Sequence, residues 1–380
     1  MNQFTHLHLH SHYSLLAALP KIDDLVSAAK KHGMASLALT DNGNMYGTIE
    51  FYKTCKKKGI KPIIGVDFYL AQRTRHDKEA GIDNRRSRLV LLAQNEIGYK
   101  NLLHLVTASH LEGFYYKPRI DRELMEKYNE GLIAISPAFS GDMANSLKSR
   151  TKDKAEEFAI FYKKVFGERF YVEITKHPEI DGHEANMKTL IDFARSENIS
   201  LLAAHDVFYM NPDDREARDT LLLVNSHTDS SDRGSEDNEE DFSFISPERA
   251  EELFRDIPKA LDNTEKVANI CNLELSLGKW VFPAYQVESG RTYDDELRYL
   301  VFEGFARRNI KQEENLLKRA EYELDVIKKK GYAPYFLVVS DLLKFAHENH
   351  ILTTIRGSVA GSLVTYLAGI TNVNPIEYKL

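Results

Sequence analysis

Residues 4–12 read Phe4-Thr5-His6-Leu7-His8-Leu9-His10-Ser11-His12. In a strand, successive side chains go to opposite faces. Phe4, His6, His8 and His10 would then share one face, and Leu7 and Leu9 the other. Leucines in strict alternation mark the stretch as part of the fold, unlike a run of histidines appended outside it. Imidazoles two residues apart on a strand can converge on one ion, and neutral imidazole suits zinc, iron or manganese. His8 and His10 are the first candidate ligands.

Downstream of this stretch the pattern alternates. A helix over 21–33 presents Ile22, Leu25, Val26 and Ala29 on one face and is ended by Gly33. Apolar runs at 36–41, 61–71, 88–94, 131–136, 169–174 and 200–207 read as strands. Amphipathic stretches at 48–59, 97–111, 154–166 and 185–198 read as the helices between them. Apolar strands alternating with helices predict a parallel sheet buried on both faces, with about seven strands, enough to close into a barrel. The C-terminal ends of barrel strands form one face, where active sites collect. Asp41, Asp67, His205 and Asp206 fall at such ends, and His110 follows a helix. Asp41 serves equally well as a helix N-cap. His6, His32, His76, His104, His177, His183 and His347 are assigned to the surface or the structure.

Residues 226–243 form an acidic, polar run expected to be a solvated loop. A helical segment follows over 246–272, with Ser246 as N-cap and Pro247 at the first helical position. A linker-like stretch then places a domain boundary near 280, giving domains of 1–280 and 281–380.

The chain has 380 residues, 43% hydrophobic and 28% charged. That suffices for two domains with no disulfide or metal staple, and it excludes a disordered chain. A net charge of −7 argues against a surface built to coat nucleic acid throughout. The two cysteines, Cys55 and Cys271, lie far apart and fit a reducing compartment. The N-terminus has no signal-peptide core, and no run reaches the ~20 apolar residues of a membrane span. The expected location is cytoplasmic.

Longer stretches carry a resemblance. HLHLHSHYSLL (6–16), ALTDNGNMYGTIEFYKTCKKKGIKPIIGVDFYLA (38–71) and EGFYYKPRID (112–121) resemble the polymerase-and-histidinol-phosphatase (PHP) family. More narrowly they resemble the N-terminal part of bacterial DNA polymerase III alpha subunits. GYAPYFLVVSDLLKFAHENHILTTIRGSVAGSLVTYLAGITNVNPIEYKL (331–380) resembles the start of that family's palm. The resemblance implies a distorted seven-stranded β/α barrel followed by an incomplete α+β palm segment. Active PHP members hold up to three ions in a nine-ligand cluster. Carried over by position, the ligands here are His8, His10, Asp67, His110 and Asp206. Asp67 stands where a bridging glutamate is usual. Ala17, Asn42, Pro137 and Phe208 stand where the family has ligands; an amide is a poor one for zinc, and the others cannot coordinate. A full cluster is therefore not expected, only a residual site for zinc or manganese.

In the palm-like segment, Arg356, Gly357, Ser358, Gly361 and Ser362 match residues that hold the triphosphate of an incoming nucleotide. Thr353-Thr354-Ile355 replaces a Gly-Pro-Gly of the family. A Gly-Ser turn opening a helix offers free N–H groups to phosphate, though small residues also permit close helix packing. The resemblance places the catalytic aspartates, with their magnesium ions, downstream of Leu380.

The leading expectation is the N-terminal portion of a replicative DNA-directed DNA polymerase. Its barrel would be mainly structural, and this portion would make no DNA alone. DNA and deoxynucleotides would meet the whole subunit, and a proofreading exonuclease or other replisome subunits would be candidate partners. Two alternatives stand beside it: a metal-dependent phosphoesterase such as a 3′–5′ proofreading exonuclease, and a non-catalytic replisome interaction module.

Overall fold

The computed structural model describes residues 4–226 and 240–380. It divides into two compact units, Met1–Leu275 and Ser276–Leu380. The strands of the first unit are β1 (Ser36–Leu39), β2 (Lys61–Leu70), β3 (Ser87–Ala93), β4 (Phe114–Tyr115), β5 (Lys117–Ile120), β6 (Leu132–Ser136), β7 (Phe170–Ile174) and β8 (Ser200–Ala203). Its helices are α1 (Ile22–Lys31), α2 (Thr48–Lys58), α3 (Glu96–Leu111), α4 (Arg122–Lys127), α5 (Asp142–Lys148), α6 (Lys152–Phe166), α7 (His183–Ser196), α8 (Arg215–Ser226), α9 (Pro247–Leu253) and α10 (Pro258–Ile270).

The sheet order is β4-β5-β2-β3-β6-β7-β8, and β1 also pairs with β2. The sequence pattern predicts a parallel sheet, but the sheet is mixed. β3 runs antiparallel to both neighbours, β2 and β6, while β1–β2, β6–β7 and β7–β8 are parallel. The reason is the connection. Residues 71–86 join β2 to β3 without a helix, so no crossover returns the chain to the starting end.

The histidine-rich stretch is not a regular strand either. It is held in the sheet by scattered bonds. The Ala38 N–H donates to His6 O (3.0 Å), the Thr40 N–H to Leu9 O (2.9 Å) and the His10 N–H to Val207 O (3.1 Å). Thr40 Oγ1 both accepts from the Leu9 N–H and donates to Leu9 O, so a side chain stands in for ladder bonds. The segment thus lies between β1 and the continuation of β8, and closes the curled sheet into a distorted ring of seven with β1, β2, β3, β6, β7 and β8.

Period-two alternation sorts each strand between two cores. Ile64, Val66, Phe68 and Leu70 of β2, Leu89 and Leu91 of β3, and Phe170 and Val172 of β7 face the surrounding helices. Ile63, Val90, Leu92, Ile133, Ile135, Tyr171 and Leu202 face inward, where α10 and the residue after it add Val267, Ala268 and Cys271. Burial lifts the Cys271 thiol to about 12, so it stays protonated. The interior is tight: a Cβ at Gly65 would lie 2.5 Å from Leu92 Cδ2.

Residues 227–239 of the expected acidic loop lie outside the described residues. The end of that run is not solvated: Phe242 and Ser243 are buried, and Ser243 bridges to Tyr209.

The second unit contains α11 (Tyr293–Arg307), α12 (Glu314–Lys330), α13 (Ala333–Glu348) and α14 (Leu363–Leu367). Leu297, Val301, Phe305, Ala320, Leu324, Leu337, Val364 and Leu367 form its core. The strands expected of an α+β segment are absent among its described residues, where buried residues recur at the three- and four-residue spacing of helices. Ser276–Trp280, placed in the first domain by sequence, fall in this unit.

Ile135 is fully buried, whereas Ile160 on α6 is 64% exposed. In urea unfolding, Ile135→Ala is expected to cost about 2–5 kcal/mol, and Ile160→Ala within about 0.5 kcal/mol of zero.

Candidate metal centre

The alternation that fills the interior with apolar side chains also carries charge into it. On β2, Asp67 shares parity with Ile63. On β3, Arg88 shares it with Val90 and Leu92. On β7, Glu173 shares it with Tyr171, and past β8 Asp206 shares it with Leu202 and Ala204. His8 and His10 of the closing segment meet them. All but Arg88 are buried, and the Arg88 side chain is 17% exposed.

His8 is the hub. Its Nδ1 lies 2.8 Å from Glu173 Oε2 and 2.7 Å from Asp206 Oδ1, and its Nε2 lies 3.2 Å from Asp67 Oδ2. A single N–H cannot point at two oxygens. The Nδ1 bond goes to Glu173, and Asp206 Oδ1 has no hydrogen-bond donor despite its closeness. Both ring nitrogens face carboxylates, so His8 is an imidazolium. Burial opposes that charge, but Asp206 and Glu173 outweigh it and hold the pKa well above the ordinary histidine range. Burial alone would raise Asp206 too, yet His8 brings it down to about 2. Glu173 is raised by burial, with His8 opposing; its Oε1 accepts from the Ala138 N–H.

Asp67 is the second hub. Arg88 Nε donates to its Oδ1 (3.0 Å), and Arg88 Nη2 donates to its Oδ2 and to Asn42 Oδ1. His10 Nε2 is 3.4 Å from the same Oδ2. Burial pushes the Asp67 carboxyl up; Arg88, then His10 and His8, outweigh it and hold it well below the usual range. Burial lowers His10, whose ring stacks on Phe208 at 4.3 Å.

Two donor sets come within reach of a single ion: His8, His10 and Asp67, and His8, Glu173 and Asp206. As they stand they do not fit one. In the first set the donor spacings of 3.2 and 3.4 Å suit an ion, since tetrahedral zinc ligands lie about 3.4 Å apart. But the guanidinium of Arg88 already occupies Asp67 Oδ2. In the second set the 2.8 Å from His8 Nδ1 to Glu173 Oε2 is a hydrogen bond with a proton between the atoms, while Asp206 Oδ1, 2.7 Å from the same nitrogen, has no donor.

Of the candidate ligands, His8, His10, Asp67 and Asp206 are thus brought together. His110 belongs to neither donor set; its Nε2 lies 3.0 Å from Gly43 O. Asp41 accepts from the Ser11 N–H, Ser11 Oγ and Ser14 Oγ and pins the loop after the closing segment. Glu173 and Arg88 were missed by sequence reasoning. A lone acid at inward parity in an otherwise apolar strand is the signal for Glu173.

The geometry can be set beside known proteins. The family model of the PHP domain matches residues 6–177. Residues 295–380 match the bacterial DNA polymerase III alpha NTPase domain. The chain is similar to the DNA polymerase III subunit alpha of Borreliella burgdorferi, at 41% identity over 100% of this chain and 33% of that protein. It is similar to that of Aquifex aeolicus, at 37% over 99% of this chain and 34% of the other, and to that of Treponema pallidum, at 37% over 99% and 33%. The chain spans about a third of the length of these curated relatives. Among solved structures, an amidohydrolase from Chromobacterium violaceum is similar over 55% of this chain and 88% of its own, at 14% identity and a TM-score of 0.39. No helix among the described residues is long and apolar enough to cross a membrane.

Beside the centre around His8 and Asp67 lies a second group of buried histidines. His177 stacks on His205 at 5.0 Å and meets His183 edge-on, with Phe139 and Phe242 packed around them. Neither ring nitrogen of His205 has a hydrogen-bond partner, nor has His6 Nδ1. Burial lowers His6 to about 4 and His205 to about 3, the latter helped by the neighbouring His177 and His6.

In the second unit, the residues matched to nucleotide binding surround the start of α14. Arg356, Gly357 and Ser358 are exposed. Gly361 O accepts from Arg319, and Ser362 caps α14 through the Thr365 N–H. The free N–H groups there are already taken. Glu323 of α12 accepts from Ser362 Oγ (2.7 Å), the Leu363 N–H (3.1 Å) and the Val364 N–H (2.9 Å).

Two outcomes are expected. His6 and His205 fold as neutral rings with pKa values of about 4 and 3, against 6.5 when exposed. The unfolded chain therefore takes up protons first as pH falls. Their contribution to stability is complete above about 6.5 and is lost as pH falls toward 4; His205→Phe should flatten that slope in pH-dependent denaturant melts. Glu323→Gln should speed amide hydrogen exchange in a peptide spanning Leu363 and Val364, leaving β7 unchanged.

Proposed function

We propose that this chain serves as the N-terminal part of a replicative DNA-directed DNA polymerase alpha subunit, with its PHP barrel acting as a brace and not as a hydrolase. The observation that carries the first half is similarity to DNA polymerase III alpha subunits along the whole chain, through both units in order. On this reading the whole subunit adds deoxynucleotides to a primer end, with magnesium ions held by carboxylates for the transfer. DNA, deoxynucleoside triphosphates and replisome subunits, among them a proofreading exonuclease, would be its partners, and the cytoplasm its location. Arg356, Gly357, Ser358 and Gly361 would meet the triphosphate, joined by the Ser362 hydroxyl once Glu323 gives it up.

The brace reading is supported by the state of the PHP centre. Hydrolysis of a phosphoester by metal needs an activated water and an open coordination position. Here Asp67 is engaged by Arg88, and Glu173 by the Nδ1 proton of His8.

A second reading has one observation in its favour, the closeness of His8, Glu173 and Asp206. A zinc or manganese ion would replace the proton on His8 Nδ1, and the barrel would be a phosphoesterase. Elemental analysis of untagged protein, with a 3′-mismatched primer assay in manganese or zinc, separates the two. The brace reading expects far less than one equivalent of metal and no excision. A full equivalent, with excision abolished by His8→Ala, would overturn it.

A further inference from the structure

The PHP centre departs from its family at several positions, and two of them are linked by one side chain. Asn42 stands where a histidine ligand is usual, and Asp67 where a longer glutamate is. Arg88 touches both. We propose that Arg88 is the resident cation of this centre, a guanidinium that takes the place of a bound ion and ties β2 to β3 at the barrel mouth. The inference rests on the brace reading and extends it, since it says what replaces the metal.

The geometry is that of a prepared site. In the β2–β3 register Asp67 lies opposite Val90 and Arg88 opposite Tyr69, so Asp67 and Arg88 are diagonal neighbours on the inward face. A guanidinium presents its donors as a rigid planar fork. Nε takes Asp67 Oδ1, and Nη2 takes Asp67 Oδ2 and the amide oxygen of Asn42. An amide that coordinates zinc poorly is a good acceptor for this donor. The shorter aspartate leaves the guanidinium room that a glutamate would fill. Tyr69 lies 4.3 Å from the guanidinium carbon, placing an aromatic face against the cation. The Arg88 N–H donates to Ser140 O, fixing the backbone from which the side chain starts.

Charge makes the same point. Asp67, Glu173 and Asp206 bring three buried carboxyl groups into one space. The cations facing them are the His8 imidazolium and Arg88. Arginine does not lose its proton in proteins, so it neutralises Asp67 at every working pH and without metal supply. An ion bound between His8, His10 and Asp67 would have to expel it.

The test uses the 380-residue chain, dialysed against EDTA, as wild type, Arg88→Ala, Arg88→Lys, Asp67→Asn and the Arg88→Ala/Asp67→Asn double variant. Each is melted with and without manganese or zinc chloride and titrated with the same salts by calorimetry. Wild-type Tm should be indifferent to chelator and metal. Arg88→Ala should melt at least about 5 °C lower. It should bind one metal equivalent at least tenfold more tightly than wild type and regain Tm on binding. The double variant should melt above Arg88→Ala, because the carboxylate left without its cation is gone. Arg88→Lys, which keeps the charge but loses the fork, should fall between wild type and alanine. If Arg88→Ala does not fold, a soluble double variant still gives the coupling, and its insolubility alongside a stable Asp67→Asn counts against the proposal. Equal metal affinity in wild type and Arg88→Ala, or equal Tm, overturns the proposal. Equal Tm with no metal in either leaves the brace reading standing, whereas tight binding by wild type ends both.

Discussion

A carboxylate inside an apolar barrel must have a cation beside it or lose its charge. That constraint organises the first unit. The strands are buried on both faces, so any acid at inward parity is committed to the interior. Asp67, Glu173 and Asp206 are all committed in this way. The histidine-rich segment and Arg88 answer them. His8 is charged because two carboxylates hold it so, and Asp67 stays ionised because Arg88 does. Buried ion pairs of this kind are costly to assemble and damaging to break from one side.

The same logic recurs in the second unit with backbone groups in place of side chains. The short helix α14 begins with amide N–H groups that need acceptors, and Glu323 supplies them from α12. Arg319, one turn earlier, pairs with Glu323 and also reaches Gly361 O. A loop that looks, by composition, like a cradle for an external anion is thus held by an internal one. Small residues here also allow close packing, as where Gly304 of α11 lies against the Leu367 carbonyl.

Much of this was legible in the sequence, for reasons that can be named. Alternation of Leu7 and Leu9 with His8 and His10 marked the closing segment, and apolar runs marked the strands. Periodicity carries no direction, so the reversal of β3 was invisible; only the helix-free connection of 71–86 hinted at it. The segment's irregular pairing was hidden because Thr40 substitutes a hydroxyl for ladder bonds, which no propensity encodes. Arg88 opens an apolar strand, where a charge looks like the wet end of the element. Glu173 could have been found, because an acid among Phe170, Tyr171, Val172 and Ile174 has no solvent to reach. His110 matched by position, yet the fold spends its Nε2 on Gly43 O.

The closing segment has a consequence for how the chain is made. His10 donates its backbone N–H to the carbonyl of Val207, 197 residues further on, and its Nδ1 lies 3.3 Å from the same oxygen. During synthesis the first strand position of the ring therefore emerges well before the residue that completes it. Until Val207 appears, Leu7 and Leu9 have only one of their two flanking partners, and the barrel is a sheet with an open edge. Loop closure over so long a span is slow, and an unpaired edge invites pairing with other chains. Histidine alternates with leucine along that edge, so half of its side chains are polar while it waits for its partner.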